Sequence, residues 1–191
     1  MTDKTAPFVE RSLFGGAIAC RFPSSWLDVS EVRQVPDHQE CWHDVNDGCM
    51  LVVEILEYQS HIADDQAPGH FFRDLAEANG SSPENTHFQP QRQPFQLANL
   101  PDTARICFGM GYQKVALGRD HDPRGDSREQ EIRCIRIDVG AIRLPSVGSD
   151  ILVTLSEPIS PNPNEADLSQ SSAIFPEIIS SLQIRDWSLF G

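Results

Sequence analysis

Leu51-Val52-Val53-Glu54-Ile55-Leu56-Glu57 puts two carboxylates into an otherwise apolar run, and the reading of that run decides the architecture of the chain. Its β-branched residues and its length predict a strand at the centre of the fold. Strand side chains alternate with a period of two. Glu54 therefore shares a face with Val52 and Leu56, and Glu57 shares the other with Val53 and Ile55. The two acids converge only if the strand bends or ends. A carboxylate inside such a run loses hydration unless a positive or hydrogen-bonding group meets it, so Glu54 requires a partner. The plainest structural role has Glu54 at the sheet margin, or accepting a bond from a neighbouring strand, while Glu57 opens a loop.

Upstream of this strand the signals are short and tightly connected. Leu13-Phe14-Gly15-Gly16-Ala17-Ile18 reads as a hairpin turn with order beginning at Leu13, and Pro23 stops the strand that follows. Trp26 to Ser30 reads as a helical turn capped by Ser24 or Ser25. Pro36-Asp37 marks a turn before a strand through Glu40, Cys41, Trp42 and His43, and residues 45–48 turn the chain into the central strand. Connections this short favour antiparallel pairing.

Downstream, Phe71, Leu75 and Ala78 fall at i, i+4 and i+7, predicting a helix stopped by Asn79-Gly80. Residues 80–102 hold one irregular edge strand around 87–97. Three longer strands follow at 104–117, 131–144 and 150–156, an antiparallel meander whose charged loop at 118–130 is solvated. A helix capped by Ser171 or Ser172, with Pro176 in its first turn, carries Phe175, Ile178, Ile179 and Leu182 on one stripe. The apolar end, Asp186 to Gly191, docks back on the body, with Trp187 and Phe190 as anchors. The fold class is α+β. Residues 1–10 are expected to be a flexible tail and 11–191 a single domain.

Composition bounds the function without naming it. The formal charge is −13, from 28 acids against 15 bases, which disfavours nucleic acid and anionic membrane and favours a basic partner. The first twelve residues lack the pattern of a secretory signal, and no apolar run approaches the roughly 18 residues of a membrane span, so a soluble intracellular protein is expected. The five cysteines are an odd number scattered through strand-like segments, as reduced core thiols are. Cys41, His43, Cys49 and His61 come nearest to metal-ligand spacing but include no Cys-x-x-Cys pair, and neither metal nor cofactor is expected. Gly109-Met110-Gly111 is not a dinucleotide loop, because Lys114 stands where the third glycine belongs. Glycines within a strand mark a bulge or a close neighbour instead. Arg124-Gly125-Asp126 and Asn79-Gly80-Ser81 are simplest as solvated surface. A small-molecule site, the competing chemistry, requires a concave pocket where Cys41, His43 or His61 meets an acid.

Four blocks carry a resemblance that composition does not. They are Leu13 to Ile18 with Leu27-Asp28-Val29-Ser30 and the segment Arg33 to Glu40; Leu51 to Glu57; Arg143-Leu144-Pro145 with Asp150-Ile151-Leu152; and the terminus Ile184 to Phe190. In this order they resemble the Ran guanine nucleotide release factor family, the Mog-type proteins acting on the nuclear-transport GTPase Ran. The resemblance implies an α/β/α sandwich shared with PsbP proteins, an antiparallel sheet covered by helices on both faces. It implies a non-enzymatic binding protein, a monomer in nucleus and cytoplasm, that binds Ran, GTP-loaded or nucleotide-free, with a Ran-binding protein as a further partner, and promotes release of its guanine nucleotide. In that family the acids matching Glu54 and Glu57 are implicated in Ran binding; some relatives carry Asp at the first. Asp28, Asp37 and Glu40 are weaker candidates for the same surface, their plain role being capping and turn-making. The alternative is a non-catalytic adaptor of the same fold for another partner.

Overall fold

Gly15 and Gly16 turn the chain with φ of 65° and 98°, joining β1 (Phe8–Leu13) to β2 (Ile18–Pro23) through a 3₁₀ turn. The computed structural model describes residues 6–91, 97, 100–116, 132–160, 162–163 and 172–191. The hairpin forms where the glycine pair predicts it, but it begins earlier. Phe8, Val9 and Glu10, expected in a tail, pair with Pro23, Phe22 and Arg21. What orders them is a long-range partner that their own polar, mixed sequence does not reveal.

Next come β3 (Leu27–Asp28), β4 (Gln39–His43) and β5 (Met50–Glu57). The helical turn expected at Trp26 starts three residues later, at Val29–Glu31, and is capped by Asp28 rather than by a serine: Ser30 N–H donates to Asp28 Oδ1 at 2.8 Å. Helix α1 (Ala67–Ala78) precedes the edge strand β6 (Thr86–Gln91). Then β7 (Arg105–Ala116), β8 (Ile132–Leu144) and β9 (Ser149–Ile159) form the meander. Helix α2 (Phe175–Ser181), the short β10 (Gln183–Ile184) and a 3₁₀ turn at Trp187–Phe190 complete the described chain. No side chain caps α2. Ser172 instead gives its N–H to Asp138 and its hydroxyl to Glu157, while Ser171 and the 118–130 loop, with its Arg-Gly-Asp tripeptide, lie outside the described residues.

All described pairings are antiparallel, in a seven-stranded sheet of order β3-β4-β5-β9-β8-β7-β6 and a three-stranded sheet of order β1-β2-β10. The Leu51–Glu57 strand is interior, but the middle position belongs to β9, which returns from the meander to lie between β5 and β8. Each face of the large sheet buries its own core. Leu51, Val53, Ile151, Val153 and Ile142 face a layer made of α2 and the small sheet, with Phe22, Ile178 and Ile179 packed between. Leu152, Ile137, Val139 and Ala141 face α1 through Ala67, Phe71 and Phe72. The architecture is the expected α/β/α sandwich, with one outer layer shared between a helix and the three-stranded sheet. Trp187, Leu189 and Phe190 pack against the first core, as the apolar end of the sequence requires. Among the described residues no helix is long and apolar enough to cross a membrane.

The two glycines of β7 are there because neighbours approach closely. A Cβ at Gly109 would stand 2.0 Å from the Phe88 ring, and one at Gly111 would stand 2.2 Å from the His87 carbonyl oxygen and 2.6 Å from Phe72. Helix α1 therefore lies close on β7, with Phe71 and Phe72 buried. Leu75, half-buried, packs on the same core as expected and also lines a groove beside β5, whereas Ala78 is exposed at that groove.

Candidate functional site: an acidic groove between β5 and α1

β5 is hydrogen-bonded on both sides, with Glu54 opposite Gln39 on β4 and Leu152 on β9. Its carboxylate finds the partner that the sequence demanded across the strand pair. Gln39 Nε2 donates to Glu54 Oε1 at 2.7 Å, and His38 Nε2 lies 3.3 Å from the same oxygen. Ile55 N–H donates to the His38 carbonyl at 2.9 Å, which fixes that turn against the strand. The Gln39 amide is a neutral donor, so that hydrogen bond satisfies Glu54 without cancelling its charge. Its side chain keeps 17% of its surface exposed, enough to be reached from outside. Glu57 is the last residue of β5 and is exposed. The strand ends there, and that ending resolves the parity problem. Both acids line one open groove of about 440 Å³, floored by Leu56 and Leu152 and walled on the far side by Asp74 and Leu75 of α1.

The remaining acids divide between the two faces. Asp37 is exposed in the turn just before His38, at the Glu54 side of the sheet margin. Asp28 and Glu40 are opposite Trp42 and Val53, residues of the other core, so their strand positions face away from the groove. Glu40 accepts the Phe14 N–H at 2.6 Å and ties β4 to the first hairpin. Burial pushes its carboxyl above the usual range; the Phe14 bond opposes this and the nearby Asp28 adds to it. The structure gathers Glu54 and Glu57 on one groove, leaves Asp37 exposed in the turn beside His38, and separates Asp28 and Glu40 from the groove.

Several groove residues escaped the sequence reading. Asp74, held at 3.3 Å by His70 one helical turn earlier, stands at i+3 in the stripe formed by Phe71, Leu75 and Ala78. A charged residue within an apolar stripe was the available signal. Gln39 and His38 sit inside a noted block, but no local pattern says that they cross to Glu54. Among the described residues no lysine or arginine forms an ion pair with Glu54, Glu57 or Asp37, and no group of three or more His, Cys, Asp or Glu side chains is arranged to hold a metal ion. The arrangement, carboxylates over an aliphatic floor, suits a cationic side chain that lays its apolar stem on Leu56 and Leu152 and its charge on the acids.

The family described as Ran-interacting Mog1 protein matches residues 11–158. The human Ran guanine nucleotide release factor is 30% identical over 191 residues, covering 94% of this chain and 95% of the human protein. Among solved structures, the Saccharomyces cerevisiae Ran-binding protein Mog1p superimposes with a TM-score of 0.70 at 21% identity, covering 97% of this chain and all of that one. A cyanobacterial PsbP from Synechocystis is similar in fold, with a TM-score of 0.50 at 15% identity and 94% of each chain covered.

Proposed function

The chain belongs to the family of Ran-interacting Mog1 proteins, and we propose that it binds a Ran-type GTPase through the acidic groove and promotes release of its guanine nucleotide. The observation that carries this reading is the pairing of Glu54 and Glu57 on one solvent-open groove, where among the described residues no lysine or arginine is paired with either. Basic side chains of the GTPase, which otherwise serve the nucleotide phosphates or the switch regions, are the chemical complement. The mechanism is linkage rather than catalysis: a protein that binds the GTPase more tightly without nucleotide than with it weakens nucleotide binding by the same factor. Of the two partner forms that the family resemblance implies, nucleotide-free and GTP-loaded, this linkage makes the nucleotide-free one the tighter complex. The net charge of −13 speeds encounter with a basic surface at low salt. A monomer acting in nucleus and cytoplasm in support of protein transport, with a Ran-binding protein as a further partner, completes the reading.

The test is release of a fluorescent guanine nucleotide from purified Ran with and without the protein, at low and moderate salt. Faster release, weakened by salt and abolished by Glu54→Lys with Glu57→Lys, is expected. Unchanged release from GTP- and GDP-loaded Ran, with no complex formed, refutes the proposal and leaves a docking module for another partner.

A further inference from the structure

Arg143 and Asp150 belong to a block that the sequence singles out and that the acidic groove does not use. Arg143 is wholly buried, and so is the Asp150 carboxylate beside it. Arg143 Nε donates to Asp150 Oδ1 at 2.8 Å, Nη2 to the Gln59 carbonyl at 2.7 Å and Nη1 to the Ile62 carbonyl at 3.1 Å. The guanidinium also lies over the Tyr58 ring, 4.6 Å from its centroid. Asp150 Oδ2 accepts the Gln59 N–H at 3.1 Å, so both backbone groups of Gln59 are held by this one pair. The Gln59 side chain in turn donates to the Glu57 carbonyl at 3.0 Å, and Gln59 and Glu57 both line the groove.

Burying an ion pair is a poor way to gain stability. The desolvation of two charges offsets most of their attraction, and apolar residues of similar volume often do as well. What a guanidinium does provide is a planar fork of donors, able to hold a carboxylate and two carbonyls in fixed relation, which a lysine does not reproduce. The segment it holds is the one that leaves β5 at Glu57. We propose that Arg143 and Asp150 are positioning residues for the acidic groove: they fix the wall from Glu57 to Ile62, and thereby keep Glu57 at the rim beside Glu54. The proposal rests on the binding role of the groove for its consequence, but not for its geometry.

The two parts are tested separately. A spin label at residue 57, placed through Glu57→Cys in a background without other reactive thiols, reports the wall, and one at Asp74→Cys reports α1 as a control. Arg143→Lys, or Asp150→Asn should the first variant fold poorly by circular dichroism, loosens the label at 57 and leaves the one at 74 unchanged. In the same variants with Glu57 native, affinity for nucleotide-free Ran falls roughly tenfold, and the fall disappears in a Glu57→Gln background because the effect passes through that acid. An unchanged label at 57 in both variants overturns the proposal, as does an affinity loss of equal size in both backgrounds. A loosened label with Ran affinity untouched by Glu57→Gln and Arg143→Lys alike upholds the positioning and sinks the binding role of Glu57 instead.

Discussion

Gly111→Ala tests the claim that α1 and β6 set their distance from β7 on a bare backbone. The added methyl would stand 2.2 Å from the His87 carbonyl oxygen and 2.6 Å and 2.8 Å from two carbons of Phe72. Contacts below 3.0 Å are not tolerated, so β6 or the methyl must give by ~0.8 Å, across a strand pair whose hydrogen bonds depend on that spacing. Overpacking of this kind costs about 1–3 kcal/mol, and the upper part of that range applies because one obstacle is backbone. Against it stands a gain of roughly 0.5–1 kcal/mol from replacing glycine within a strand. The net expectation is a loss of about 2 kcal/mol, or roughly 4–8 °C in Tm for a chain of this size. Gly109→Ala tests the same packing one pair along. Its methyl would stand 2.0 Å from the Phe88 ring, which lies against Gly69 and Phe72 of α1 on its other side and packs on the second core. Its cost is also about 1–3 kcal/mol. Urea unfolding with an unchanged m-value gives both numbers on one scale. A Gly111→Ala protein within 0.5 kcal/mol of the parent would refute the packing account.

Two further outcomes follow from groups that burial perturbs. Burial and Asp28 hold the Glu40 carboxyl above its usual range, so the stability it contributes is complete at acid pH and is lost as pH rises through the folded-state value. Glu40→Gln keeps an acceptor for the Phe14 N–H and removes the charge. It should match the parent near pH 3 and exceed it in thermal stability at pH 7, and equal stability at both pH values would contradict the assignment. The Cys20 thiol is pushed up to about 12 by burial with Glu40 adding to it, and the Cys49 thiol to about 12 by burial with Glu157 nearby. Both should resist alkylation at pH 8 in the folded protein and react fully in denaturant, as mapped by mass spectrometry; rapid labelling of either in the native state would show that the core opens there.

The local rules carried the sequence reading a long way. Turn chemistry placed the hairpin at Gly15-Gly16 and the stop at Gly80, where φ is indeed positive, and alternation found β4, β5 and the meander to within a few residues. Each of these depends on neighbours a few positions apart. The same rules failed where the deciding contact was distant. Phe8 to Glu10 became strand through pairing with Arg21 to Pro23, and Ala78, expected on the core stripe, lies exposed at the groove. Of the site, the sequence supplied Glu54 and Glu57 and the demand for a partner, but neither Gln39 as that partner nor Asp74 across the groove.

Side-chain period and turn propensity act within a few residues, and they were enough for the antiparallel α+β class, the order of the blocks and the presence of two acids in an apolar strand. Which acids share a surface depended on contacts between distant elements. A strand position settles the face but not its company, and that company came from β4, β9 and α1, brought together by long-range pairing and close packing on glycine. Arg143 shows the same division most sharply: in sequence it is a member of a noted block with no role of its own, and in the fold it is the buried fork that holds the loop after Glu57.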